Sequence, residues 1–273
     1  MKVSKARVQI AGRVVELAAK NVQLLRDVSR VFPPVEDGFG DRPDDARRAS
    51  LFIDLEDLAS AEQTEPTEKN APFLVAPLIT KVLHEIEGYV WIDATALVIN
   101  GGRLCLIAGA SGTGKTTLTL ALALKHACRI VCEDITLIDS QRKKVLPLAI
   151  PLHLRPGTER RVMDVVDFEA ASFLRLGGWA FRADLYYTQP LDATFSTAIC
   201  FLPPGNGIFG QLEARRISSA EFLRALLPIS NALRTPGGPD FLNKILADTT
   251  CMKIEGGTLE ERVQVFLSCC AGE

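Results

Sequence analysis

The sequence predicts an α/β protein built on a mixed sheet, and three observations carry that prediction. Short apolar runs and helix-periodic stretches interleave along the chain from end to end. The stretch TALVINGGRLCLIAG places two apolar runs on either side of Asn100-Gly101-Gly102, residues that tolerate positive φ, and so reads as a hairpin. The second of those runs, Leu104 to Ala108, leads directly into a glycine-rich segment, GASGTGKTT, from Gly109 to Thr117. An antiparallel pair immediately ahead of a strand–loop–helix unit requires both strand orientations in one sheet.

Taken in order, the first 18 residues alternate about Ala11-Gly12, with Val8 and Ile10 before the turn and Val15 and Leu17 after it, predicting a hairpin. NVQLLRDVSRVF follows with Leu24, Leu25, Val28, Val31 and Phe32 at helical spacing, and Pro33-Pro34 ends it. Residues 35 to 69 are mostly acidic around one strand candidate, SLFIDL; the flanks DGFGDRPDD and SAEQTEPTEKN read as solvated loops. These elements make an N-terminal β/α module over residues 1–75 with an acidic loop, leaving 76–273 as the main domain. PLITKVLHEIEG sets Ile79, Val82, Leu83 and Ile86 on one helical face before Gly88, and His84 falls off that stripe as a surface residue.

Beyond the glycine-rich segment, TTLTLALALKH predicts a helix of about three turns. RIVCEDITLID reads as strand, two acids, strand; QRKK is a basic turn, and VLPLAI and PLHLRPG are extended. Residues 158–174 read as helical, and STAICFL as a core strand. ISSAEFLRALL is a helix that Ser218 or Ser219 caps, with Glu221 completing a partial capping box. CMKIEG and LEERVQVFLSCC supply a last strand and a last helix.

With 273 residues, 47% hydrophobic and 23% charged, the chain has an ordinary globular composition, enough for one large domain or a main domain with a companion. A formal net charge of -2 argues against a nucleic-acid partner, since phosphate backbones select cationic surfaces. The basic clusters at Arg142-Lys143-Lys144, Arg160-Arg161 and Arg215-Arg216 read as solvated faces. MKVSKARVQIAG lacks the apolar run of a signal peptide, and the longest apolar candidate, LTLALALKHACRIVC, is broken by Lys125, His126 and Arg129. No membrane partner is expected. Seven cysteines, with Cys105, Cys132 and Cys200 inside apolar runs, suit reduced core thiols, and adjacent Cys269-Cys270 lack ligands at metal spacing. A cytoplasmic protein is the expectation.

Gly109-Ala-Ser-Gly-Thr-Gly114-Lys115-Thr116 matches G-x-x-x-x-G-K-[ST] in full. Glycines let the backbone curl until successive N–H groups converge on phosphate oxygens, and the helix that follows adds its positive end. The pattern assigns phosphate binding to Gly109, Ser111, Gly112, Thr113, Gly114, Lys115, Thr116 and Thr117, with Mg²⁺ as the accompanying metal. Lys115 reaches the β- and γ-phosphates in such loops, and the Thr116 hydroxyl coordinates Mg²⁺. Glu133 and Asp134 end the next short strand, 18 and 19 residues after Lys115, where one acid holds Mg²⁺ and the other accepts a proton from an attacking hydroxyl.

Several phosphate-handling classes fail on other residues. A guanine site needs N-K-x-D; the nearest match, Asn243-Lys244-Ile245-Leu246, ends on an apolar residue inside a helical pattern. No L-S-G-G-Q-like signature is present, and the strand after the loop helix is short and ends in Glu-Asp rather than Asp-Glu. Transfer is favoured over plain hydrolysis.

The run ALVINGGRLCLIAGASGTGKTTLTLALALKHACRIVCEDITLID resembles the catalytic core of HPr kinase/phosphorylase and its relatives, and AIPLHLRPGT, STAICFL and ISSAEFLRALL resemble their downstream segments. The similarity spans roughly residues 78 to 268 and is specific around the glycine-rich segment. It implies a P-loop core of the HPr kinase/PEP carboxykinase-like type, and transfer of the ATP γ-phosphate to a Ser/Thr hydroxyl of a peptide or protein. Carried over, Glu133 is the base, Asp134 a magnesium or hydrogen-bonding partner, and Arg155 of HLRPG a donor to the transferring phosphoryl. Three departures stand out: Glu133-Asp134 replaces the family's Asp-Asp, so base and metal roles can exchange; the family histidine falls at Ala94, beside Asp93; and the second glycine-rich signature is missing. Relatives that modify ribosomally made peptides, such as lasso-peptide precursors, are closer in length and layout, with the N-terminal module as a substrate-recognition element. The family also implies a homo-oligomer. Two alternatives remain: a nucleotide-binding regulator without catalysis, and a small-molecule kinase or PEP carboxykinase-like enzyme.

Overall fold

The computed structural model of the protein describes residues 3–10, 13–32, 51–85, 88–99, 102–155, 157–163, 173–187, 191–201 and 210–271. The predicted turns at Ala11-Gly12 and Asn100-Gly101, the Pro33-Pro34 stop and the acidic stretch 35–50 lie outside them. The fold is mixed α/β and divides into two compact units. One comprises Met1–Glu87 with Ala149–Leu154 and Ala171–Ala183; the other comprises Gly88–Leu148, Arg155–Ala170 and Asp184–Glu273. No described helix is long and apolar enough to cross a membrane.

In the first unit, β1 (Ser4–Ile10) and β2 (Arg13–Ala19) pair antiparallel, from Ser4 opposite Ala19 to Ile10 opposite Arg13. Alternation puts Val8, Ile10, Val15 and Leu17 into the core. Helix α1 (Val22–Ser29) starts where the Asn21 side chain accepts from the N–H groups of Gln23 and Leu24. β3 (Leu51–Asp54) adds parallel to β2. Helix α2 (Leu55–Ala61) follows, taking Leu55 from the expected strand SLFIDL and Ser60-Ala61 from the expected loop: Asp54 caps the N–H groups of Glu56 and Asp57, and Leu55, Leu58 and Ala59 make a short buried stripe. Helix α3 (Ala71–His84) begins six residues before the expected Pro77, with Pro72 in its first turn and Pro77 retained inside. A proline near a helix start costs no hydrogen bond, which moves the boundary upstream. His84 is exposed, as its off-stripe position predicts.

The chain continues through β4 (Tyr89–Ile99), β5 (Arg103–Gly109), α4 (Lys115–Lys125), β6 (Arg129–Cys132), β7 (Ile135–Asp139), β8 (Lys144–Leu146) and β9 (Leu152–His153). Then follow α5 (Thr158–Met163), β10 (Leu174–Leu176), β11 (Trp179–Phe181), β12 (Leu191–Asp192), β13 (Phe195–Phe201) and β14 (Glu213–Arg216). The last elements are α6 (Ser219–Leu226), α7 (Gly238–Leu246), β15 (Thr250–Glu255) and α8 (Leu259–Ala271). The helix expected over 158–174 is therefore corrected: Thr158–Met163 is helical, but Leu174 already belongs to β10. Strands β9, β10 and β11 form a three-stranded sheet in the first unit, where the Trp179 indole donates to Pro72 O at 2.9 Å. Ser218 caps α6 by accepting from Glu221 N at 3.1 Å, while the Glu221 carboxylate pairs with Arg215 instead of closing the box.

The second unit holds a nine-stranded sheet, ordered β12-β8-β7-β4-β5-β13-β15-β14, with β6 also on β4. β5 lies antiparallel to β4 and parallel to β13, which lies parallel to β15, so the sheet is mixed. Apart from Arg103, every residue of β5 is buried, as a near-continuous apolar run in a central strand requires. Because β4 runs opposite to both β5 and β6, the carboxyl ends of β5 and β6 point the same way. Ala94 of β4 pairs with Ala108, so Asp93 reaches that end as well.

At the β15–α8 connection, Gly256 holds φ 66°, and a Cβ there would lie 2.6 Å from Gln211 O and 2.9 Å from Gly210 O. Gly256→Ala is expected to cost on the order of 1–3 kcal/mol from the backbone torsion alone, measurable by urea unfolding.

The described cysteines are free thiols; Cys105, Cys128, Cys132, Cys251 and Cys270 are buried. Burial pushes Cys132 up to about 12, and Cys128 and Cys251 to about 11. A raised folded value means these thiols favour the fold below the ordinary thiol range and withdraw that contribution as pH climbs through 11–12. At pH 8, iodoacetamide is expected to spare Cys128, Cys132 and Cys251 until the protein unfolds, as mass spectrometry of native and urea-treated samples would reveal.

Candidate functional site

The glycine-rich segment turns at the carboxyl end of β5 and enters α4. Gly109, Gly112 and Gly114 have φ of 150°, 87° and 95°. Gly114 precedes α4 in the left-handed region, where a side chain would be strained, and no side chain caps the helix. Thr113 is buried and closes the loop, its N–H and Oγ1 both donating to Ala110 O at 3.3 and 2.9 Å. Lys115, the first residue of α4, is only 6% exposed; its Nζ donates back to Gly109 O at 2.7 Å. A cation thus spans a loop whose first-turn amides carry the positive end of a helix.

Carboxylates converge from two strands. The Thr116 hydroxyl donates to Glu133 Oε1 at 2.5 Å. Glu133 is fully buried, and among the described residues its Oε2 has no hydrogen-bond partner. Burial, then the Asp134 charge, pushes the Glu133 carboxyl up to about 8; Thr116 and Lys115 pull the other way, and Asp93 adds a smaller upward push. Asp134 sits at the β6–β7 turn with φ 63°, a torsion that aspartate tolerates better than most residues, and Ile135 N donates across the turn to Glu133 O at 2.8 Å. Asp93 Oδ1 lies 3.4 Å from Lys115 Nζ, while its neighbour Ala94 is fully buried. Nearby, Tyr186 is buried, and its phenol is raised well above the ordinary range by burial and then by Glu133.

Two arginines complete the surroundings. Arg155, exposed just before α5, donates from Nη2 to Ser111 Oγ at 2.5 Å. Arg262 of α8 donates from Nη1 to Thr113 O at 2.6 Å. The structure therefore brings every residue singled out in the sequence to one place: Gly109 through Thr117 as loop and helix start, Glu133 on Thr116, Asp134 beside Glu133, and Arg155 on Ser111. Sequence reasoning missed Arg262 and Tyr186. Arg262 is 149 positions from Thr113, and no local pattern marks it. Tyr186 follows a short turn of Ala183–Leu185 with nothing to set it apart.

The donor set can be tested against the nucleotide and metal that the motif implies. Among the described residues no three His, Cys, Asp or Glu side chains gather as a metal site. Mg²⁺ in nucleotide sites takes one or two carboxylates together with phosphate oxygens rather than an all-protein cage. A buried carboxylate oxygen without a partner, beside a threonine hydroxyl, is a fitting donor pair.

No family model matches the chain, and no curated protein matches it in sequence. Among solved structures it is similar to the Hpr(Ser) kinase/phosphatase from Coxiella burnetii, with 14% identity over 67% of this chain and 94% of that one, at a TM-score of 0.33. A likeness that slight carries no weight for fold or activity.

Proposed function

We propose that the chain is an ATP- and Mg²⁺-dependent kinase that transfers the γ-phosphate to a Ser/Thr hydroxyl of a peptide or protein. The observation that carries the reading is the buried Glu133 carboxylate on the Thr116 hydroxyl, one residue from a lysine that spans the glycine-rich loop. Glu133 and Thr116 are the residues to hold Mg²⁺, which reverses the expected roles and leaves Asp134 as the proton acceptor. Held by these two residues, Mg²⁺ would offset the negative charge of the nucleotide phosphates. Lys115 and the loop amides stabilise the transferring phosphoryl. The acceptor oxygen bonds to the γ-phosphorus, the bond to the β,γ-bridging oxygen breaks to release ADP, and the hydroxyl proton passes to Asp134. Arg155 reaches over the loop at Ser111 and can follow the phosphoryl oxygens. The peptide acceptor is supported by the sequence resemblance around the loop.

Incubation with γ-labelled ATP, Mg²⁺ and a Ser/Thr peptide pool is expected to label peptide, and chelation of the metal to stop it. Label in a small metabolite, or nucleotide binding with no transfer, would sink the proposal. Arg155→Ala is expected to lower the transfer rate roughly tenfold to hundredfold with ATP binding nearly unchanged, read from kcat and KM separately.

A further inference from the structure

Arg262 belongs to none of the motifs in the sequence, yet its guanidinium joins two backbone segments. Nε donates to Gly256 O at 2.8 Å and Nη1 to Thr113 O at 2.6 Å. The α8 end of this strut is fixed by local chemistry. Gly256 and Gly257 turn the chain at φ 66° and 77°. Thr258 and Glu261 then cap the helix reciprocally, Thr258 N donating to Glu261 Oε2 at 2.7 Å and Glu261 N to Thr258 Oγ1 at 3.2 Å. The other end is a peptide with glycine on both sides, Gly112-Thr113-Gly114, the kind of backbone that reorients most easily.

A trans peptide points its carbonyl and the next N–H in opposite directions. With Thr113 O held by Arg262, the Gly114 N–H faces away from α8. A Cβ on Gly114 would lie 3.3 Å from Arg262 Nη1, so the guanidinium is tight against this peptide. Arg161 is close enough for its charge, after burial, to pull Arg262 below the ordinary arginine range, which adds positive field beside the loop.

We propose that Arg262 is a positioning residue that locks the Thr113–Gly114 peptide so that the Gly114 N–H is presented to a nucleotide phosphate. The inference rests on the kinase reading through its nucleotide site. A staple that only holds α8 in place would change stability and not affinity.

Titration calorimetry of the full chain with Mg-ATP, paired with thermal unfolding, separates the two. Arg262→Ala removes both guanidinium bonds; loss of the one to Thr113 O is expected to raise Kd roughly tenfold to hundredfold, while Tm moves by a few degrees. Arg262→Lys, which keeps a donor for Thr113 O, is expected to recover part of the affinity. Unchanged Kd in Arg262→Ala, with wild type binding and Lys115→Ala not, overturns the positioning role and leaves the kinase reading standing. Failure of wild type to bind Mg-ATP overturns both. Should Arg262→Ala not fold, Arg262→Lys and Arg262→Gln carry the test: affinity falling from Lys to Gln supports the lock, and wild-type Kd in both overturns it.

Discussion

Lys115→Ala is expected to reduce phosphoryl transfer by roughly a hundredfold to a thousandfold or more, while the protein stays folded. The large effect follows from position. The Lys115 ammonium is nearly buried, donates to Gly109 O at 2.7 Å and lies 3.4 Å from Asp93, so its charge is set at the mouth of the loop before any ligand arrives. In a site shielded from water such a charge acts strongly on a developing phosphoryl anion. The fold survives for separate reasons. Alanine is a good first residue for α4, and Asp93, with its side chain 44% exposed, is solvated once its partner is gone. Kinetics with labelled ATP alongside circular-dichroism melting would check both halves. Full activity in a folded Lys115→Ala protein would remove the loop from the reaction.

The second large effect belongs to Glu133→Gln. Glutamine keeps the shape and accepts the Thr116 hydroxyl, yet gives Mg²⁺ no negative charge, so transfer is expected to fall by roughly a hundredfold or more, with a raised Mg²⁺ requirement. Asp134→Asn is expected to lower the rate at unchanged Mg²⁺ requirement. The opposite pattern would restore Glu133 as base and Asp134 as metal ligand. Metal-free stability offers an independent reading. The folded Glu133 carboxyl is raised from 4.5 to about 8, so its contribution is fully present below about pH 4.5 and is lost as pH rises through about 8. The Glu133→Gln protein has no such loss. Its Tm should therefore match wild type near pH 4.5 and exceed it increasingly toward pH 8.5.

The hairpin into the loop, the mixed sheet and the last helix were legible because each follows from a local pattern: alternation, tolerance of positive φ, or 3.6-residue periodicity. The boundaries that shifted did so where tertiary burial overrode local signs. Leu55, Leu58 and Ala59 turn an acidic stretch into α2, and Leu174–Leu176 pairs into a sheet with Trp179–Phe181 instead of extending a helix. Two short later segments join the N-terminal unit, an assembly with no trace in the order of residues.

By itself the sequence determined the glycine-rich loop and the two acids that follow it, since backbone curvature at Gly112 and Gly114 and a short strand ending at Cys132, just before Glu133, are written in adjacent residues. Only the tertiary structure decided which acid meets Thr116, that Asp93 faces Lys115, and that Arg262 holds Thr113 from α8. It also decided the state of Glu133. A carboxyl is an ordinary acid in water; exclusion of water by the sheet, and after it the charge of the adjacent Asp134, makes this one weak, and the larger cause, burial, is a property of packing rather than of neighbouring letters.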